Sequence, residues 1–156
     1  DTIKNNTGQD INNHAFYDIA KIHPLGLDQL DNEILVRDPI STNEDALLCV
    51  GCIPVNSSVY ILKGENKQVI HAAGIAAFDL KKRRHGHKNS ATFFLFDCIS
   101  RALFLGNKLN HEINLIRNTL PESAEVITAL SIGEISLNRS SMIRFHNKSV
   151  VIGSVN

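Results

Sequence analysis

At 156 residues, with 43% hydrophobic and 21% charged side chains, the chain has the composition of one globular domain with a single core. Sixteen basic and sixteen acidic residues cancel, so no global charge points to nucleic acid or an anionic membrane as partner. No apolar run approaches the ~20 residues that span a bilayer, no signal peptide opens the chain, and the odd set Cys49, Cys52 and Cys98 suits reduced thiols in the cytoplasm.

The chain opens without Met on the polar segment DTIKNNTGQD. This is expected to be a linker or frayed end over 1–10 of a fragment cut from a longer protein, followed by one domain over 11–156. NNHAFYDIAKIH (12–23) predicts a short helix with Phe16, Ile19 and Ala20 on one face. His23-Pro24 ends it, because a residue before proline avoids the helical region, and HPLG turns the chain. Short β-branched and apolar runs bounded by turn residues follow at 33–40, 46–53 and 58–64, and they predict an antiparallel meander.

From Asn66 the period changes. Val69, Ala73, Ala76 and Leu80 recur at helical spacing, and KKRR (81–84) closes the helix where positive charge suits the carboxyl end of its dipole. ATFFLFDC (91–98) is short and continuously apolar until its end, the pattern of a strand covered on both faces. A helix over 108–119 turns Leu109, Ile113 and Ile116 inward, and EVITALSI (125–132) is a second strand. ISLNRSSMIRF and SVVIGSV give the last strands, with HNK as the turn between them. The fold class expected is α+β, an antiparallel meander plus a parallel βαβ unit in a mixed sheet covered by two main helices.

Parallel strands at 91–98 and 125–132 bring their carboxyl ends to one edge, where ligands of open α/β sheets tend to bind. Cys98, Arg101 and Glu134 follow those ends. Arg101 could grip a carboxylate and Glu134 an ammonium, so the rim could hold a small zwitterion. Alternatively the two side chains pair with each other and tie the loops together.

The other chemical candidates have bland readings beside the functional ones. Cys49-Val50-Gly51-Cys52 lacks the second ligand pair of a zinc site and lies in a strand rather than at a helix start. Cys98 is a buried thiol or a nucleophile needing His23, His111 or His146 as base. His85-Gly86-His87 and the cluster KKRRHGHK read as a solvated helix end. Arg37-Asp38 reads as a surface pair or a second anion contact, and His23 as a turn cap or a ligand contact. His146-Asn147 reads as a strand turn. Phosphate-loop, dinucleotide and serine-hydrolase signatures are missing.

HPLG (23–26), VRDPI (36–40), FDCISR (96–101), His111-Glu112, SIGEI (131–135) and HNKSVV (146–151) occur in the order seen in the carboxyl-terminal half of FIST proteins (F-box and intracellular signal transduction). The chain resembles that half from about Lys21 to Val155. The resemblance implies a non-enzymatic intracellular sensory domain that binds a small ligand, with amino acids suggested. Its partners would be a FIST amino-terminal domain and an output protein such as a kinase or cyclase, with no nucleic acid or membrane. Family motifs map onto His23, Arg37, Cys98, Arg101, Gly133, Glu134, His146 and Asn147. The ligand set expected is Arg101, Glu134, Cys98, Asn147, His23 and Arg37, with no metal and no cofactor. Two alternatives stand beside this reading. One is a haem-based nitric-oxide sensor with His71 or His146 as axial ligand, His14, His23 and His111 competing. The other is a protein-interaction scaffold with a vestigial pocket. The family often has glycine in the meander turn where this chain has Pro54-Val55-Asn56-Ser57, and Asn56 tolerates the left-handed conformation that such a turn needs.

Overall fold

The computed structural model describes residues 16–29, 33–43, 45–84, 92–137 and 142–155. The expected linker at 1–10, His14, the first residues of the 12–23 helix and the His85-Gly86-His87 loop lie outside the described residues.

The first helix, α1 (Phe16–Ala20), buries Phe16, Ile19 and Ala20, the three residues its spacing put on one face. Strands β1 (Leu25–Asp28), β2 (Ile34–Asn43), β3 (Ala46–Val50) and β4 (Val59–Ile61) form an antiparallel sheet in the order β3-β2-β1-β4. The HPLG segment thus enters a strand rather than only turning. Leu25 and Leu27 are buried, and β1 pairs with both β2 and β4. The β2–β3 register slips between Pro39 and Ser41, a bulge where proline supplies no N–H to the ladder. Asn56 sits at φ 65° in the turn before β4, the left-handed position that asparagine accepts there.

The βαβ unit forms as its spacing predicts. Helix α2 (Asn66–Arg83) precedes β5 (Thr92–Cys98), which runs straight into α3 (Ile99–Leu105). Gly106, at φ 54°, ends α3 in a conformation open to glycine. Helix α4 (Leu109–Thr119) and β6 (Glu125–Ser131) follow, and β6 lies parallel to β5. Strand β9 (Val150–Val155) runs antiparallel on the other side of β5, giving a mixed three-stranded sheet. Strands β7 (Glu134–Leu137) and β8 (Ile143–His146) make a separate two-stranded ribbon. The fold is therefore α+β, with the meander and the parallel pair in separate sheets.

The core lies between α2, α4 and one face of the second sheet. Ala73 and Ala77 of α2, Phe93 and Leu95 of β5, and Ile116 of α4 cluster there with Leu120. Small residues let the helices approach closely: a Cβ on Gly74 would come within 2.8 Å of Leu115 on α4. Fully buried, Phe93 and Leu95 each contribute about 2–3 kcal/mol of apolar transfer energy. The expectation that β5 is covered on both faces is corrected. Both long helices sit on one side, and on the other Phe96 is 44% exposed and Ile127 45%.

Candidate functional site

The parallel register sets Cys98 opposite Ser131, so the last residues of β5 and β6 share one edge of the sheet. Two residues on, Gly133 (φ 136°) reverses the chain into β7 and delivers Glu134 back to that edge. The Glu134 carboxylate is 3% exposed and accepts hydrogen bonds from the hydroxyls of Ser131 and Ser149, both at 2.7 Å. Ser149 is also held through its carbonyl, which accepts from the Cys98 N–H at 3.1 Å. A Cβ on Gly133 would run into the Phe145 ring, and its φ already disfavours any other residue. Gly133→Ala is therefore expected to lower stability by at least about 1–3 kcal/mol. A urea midpoint unchanged from wild type would contradict this.

On the other side of the same turn, Arg101 is 5% exposed at the start of α3. Its fork grips Glu112 of α4 in two places, Nε to Oε1 at 3.2 Å and Nη2 to Oε2 at 2.5 Å. Nη2 also donates to the Val69 carbonyl, Nη1 donates to the Lys148 carbonyl at 3.4 Å, and Nε lies 3.6 Å from Asp97. The guanidinium's ionic partner is thus Glu112 and not Glu134, which corrects the reading that Arg101 and Glu134 tie the loops by pairing. Asp97, at the end of β5, is 1% exposed, and its Oδ1 has no hydrogen-bond partner. Burial, with the neighbouring Glu112 charge, pushes its carboxyl up to about 7 against the pull of Arg101. Burial and the Glu134 charge likewise raise the Cys98 thiol, so it stays protonated at neutral pH.

Lys148, at φ 52°, is the left-handed residue of the HNK turn. Its Nζ donates to Ser100 Oγ and pairs with Asp38 at 3.1 Å, with both side chains largely buried. Arg37 and Asp38 are therefore not a surface pair: they are 7% and 4% exposed, and Arg37 donates to the Cys52, Val36 and Phe145 carbonyls. Asn147 is 2% exposed with Oδ1 unpartnered. Arg37, Cys98, Arg101 and Glu134 thus all contact the 145–149 segment, of which Asn147 is part. His23 stands apart, its Nδ1 within hydrogen-bond distance of the Leu62 carbonyl at 3.1 Å.

The Arg101–Lys148 side of this cluster borders a cleft of about 160 Å³ between the first sheet, α2 and α3. A larger recess, about 640 Å³, opens among Arg117, Leu120, Pro121 and Val126 at the far end of β6, away from the polar cluster. Neither fits haem. His71 is exposed on α2, His146 is only partly buried, and neither histidine lines either cavity. Burial also lowers the His146 pKa, and its Nε2 has no hydrogen-bond partner. Among the described residues no group of His, Cys, Asp and Glu could hold a metal ion, and no described helix is long and apolar enough to cross a membrane.

Sequence reasoning gave no site role to Glu112, Asp97, Lys148, Ser131 and Ser149, and weighed Asp38 only as a partner of Arg37. Glu112 carried a signal: it stands three residues after Leu109 and four before Ile116, inside the inward stripe of its helix.

No curated protein and no solved structure matches the chain. The FIST C domain does match, over residues 5–136. That span runs from β1 to all but the last residue of β7 and holds Arg37, Asp97, Cys98, Arg101, Glu112 and Glu134. Strands β8 and β9, which complete two of the sheets, lie beyond it. With most of its length and most of its buried polar cluster inside the match, this chain belongs to the FIST C domain family.

Proposed function

We propose that this domain is an intracellular, non-enzymatic sensor of a small ligand, an amino acid or related metabolite, bound where β5 and β6 end. The observation that carries this is the cluster itself: Arg37, Cys98, Arg101 and Glu134 are buried around the turn that holds the buried Asn147, and Arg101 at its flank borders an apolar cleft. Buried polar groups with unpartnered atoms, such as Asn147 and Asp97, are costly to keep unless something else uses them. A protonated Cys98 thiol argues for binding rather than nucleophilic chemistry. The output would pass to a kinase, cyclase or similar protein, in a molecule that also carries a FIST amino-terminal half. The uncovered face bearing Phe96, Ile127 and Val155 offers such a neighbour apolar surface to bury.

Thermal shift against a panel of amino acids and their metabolites tests this reading. A binder present at 100 times its Kd stabilises by about 2.7 kcal/mol, a rise of several degrees for a domain of this size. For a hit that carries an ammonium the shift is expected to shrink in Glu134→Gln, which keeps the size of the side chain and removes the charge. A flat panel, or a hit indifferent to Glu134→Gln, rejects the zwitterion site.

A further inference from the structure

We propose that the cleft bordered by Arg101 and Lys148 is the ligand pocket, and that it takes a small aliphatic carboxylate without an ammonium group. This rests on the sensor reading above and narrows it.

The walls decide the body of the ligand. Pro24, Val36, Leu62, Val69 and Phe104 supply an apolar lining from five separate parts of the chain. A space of about 160 Å³ holds on the order of five waters at about 30 Å³ each, so it suits a small ligand.

The cations decide its head group. Arg101 and Lys148 both line the cleft, and the Arg101 Nη1 bond to the Lys148 carbonyl joins them. A guanidinium has five N–H donors. Glu112 takes two, Val69 one and Lys148 one, which leaves one on Nη1. An ammonium has three donors, and on Lys148 Ser100 and Asp38 occupy two. Each buried cation thus has one donor to spare, and the two together match the two oxygens of a carboxylate. Glu112 and Asp38 already hold these cations in place, so the cradle exists before the ligand arrives. At the mouth stands Lys63, a cation with no ion pair among the described residues; Lys21 is paired with Asp18.

What the lining lacks decides against an amino acid in this cleft. No described Asp or Glu lines it, so a bound α-ammonium would be stripped of water with no carboxylate to meet it. Glu134 is tied to Ser131 and Ser149 on the far side of the Lys148 turn. The ligand class that fits is a branched or short aliphatic acid, or the 2-oxo acid corresponding to an aliphatic amino acid.

Isothermal titration of the protein with four probes tests this: 4-methylpentanoate, 4-methyl-2-oxopentanoate, leucine and the uncharged 4-methylpentanamide. At least one of the two acids is expected to bind tenfold or more tighter than leucine, and the amide not at all. Val36→Phe, which fills the cleft from β2, is expected to abolish acid binding, and circular dichroism reports whether that variant is folded. Lys63→Glu changes only an exposed residue and is expected to weaken binding severalfold. Leucine binding as tightly as the acids overturns the inference while leaving the sensor reading intact. So does acid binding that survives both a folded Val36→Phe and Lys63→Glu. If neither the acids nor any member of the amino-acid panel binds, the inference and the sensor reading fail together.

Discussion

Glu112→Ala is expected to remove about 3–5 kcal/mol of stability, the usual result of deleting one partner of a buried ion pair. Arg101 would keep its charge inside the protein at 5% exposure, with Asp97 at 3.6 Å as the remaining carboxyl. That carboxyl offers one contact at 3.6 Å in place of the two hydrogen bonds Glu112 accepts, and is a weak substitute. A domain of this size has about 5–15 kcal/mol in all, so the variant loses a large share and is expected to be partly unfolded at 37 °C. Replacing both partners, Arg101→Met with Glu112→Leu, is expected to recover much of the loss, because two apolar side chains of similar bulk need no desolvation of charge. Recovery stops short of complete, since the Val69 and Lys148 carbonyls lose their donor. Urea unfolding of the three proteins measures this. A single variant within 1 kcal/mol of wild type would show that the pair is energetically idle, in the sense known for many surface pairs.

Asp97 sets the second large effect, and it depends on pH. Its carboxyl is pushed from an ordinary value of 3.8 up to about 7, first by burial and then by the Glu112 charge. The folded protein therefore keeps a proton that the unfolded chain releases between those two values. Stability from this group is fully present below about pH 4 and declines as pH rises towards 7, then stays level. At about 1.4 kcal/mol per pH unit, the decline reaches on the order of 4 kcal/mol. The groups facing Asp97 are Glu112, Arg101 and Glu134, so the effect is read as a difference between wild type and Asp97→Asn, which leaves those three in place. Denaturant unfolding at pH 4.5, 6 and 7.5 is expected to show wild type losing ground steadily against the variant. Parallel curves would mean that Asp97 titrates normally in the fold.

Much of the architecture was written in local pattern. The helical spacing of Val69, Ala73, Ala76 and Leu80, the apolar run into Cys98 and the two-step order strand–helix–strand predicted α2, β5, α4 and β6 nearly to the residue. Strand β1 was missed because LGLD offers only two apolar residues in four, too short a window for a period to emerge. Coverage of β5 was overestimated for a different reason. A continuous apolar run reports what could be buried, while Phe96 at 44% exposure shows that the second cover is not supplied by the described residues.

Of the residues named in advance, Arg37, Cys98, Arg101, Glu134 and Asn147 lie at one turn and His23 does not, and their partners were not legible. Arg101 and Glu112 lie 11 positions apart, and Lys148 meets Asp38 across 110 positions. Which acid meets which base depends on how sheets and helices stack, and a one-dimensional pattern of charges allows many pairings. A lysine beside an asparagine in a turn reads as solvent-facing by default; only the packing of β2 against that turn shows otherwise.

Strand β9 has a consequence for how the domain is made. It pairs with β5 through residues 150–155, and Val150 and Ile152 pack on the core that β5 shares with the helices. More than 50 positions separate the two strands, so this pairing waits on closure of a long loop and belongs to the slow end of folding topologies. During translation residues 150–155 must leave the ribosome before the central strand gains its second neighbour. Until then β5 has a bare flank, and a nascent chain paused in that interval would need chaperone protection from stray strands.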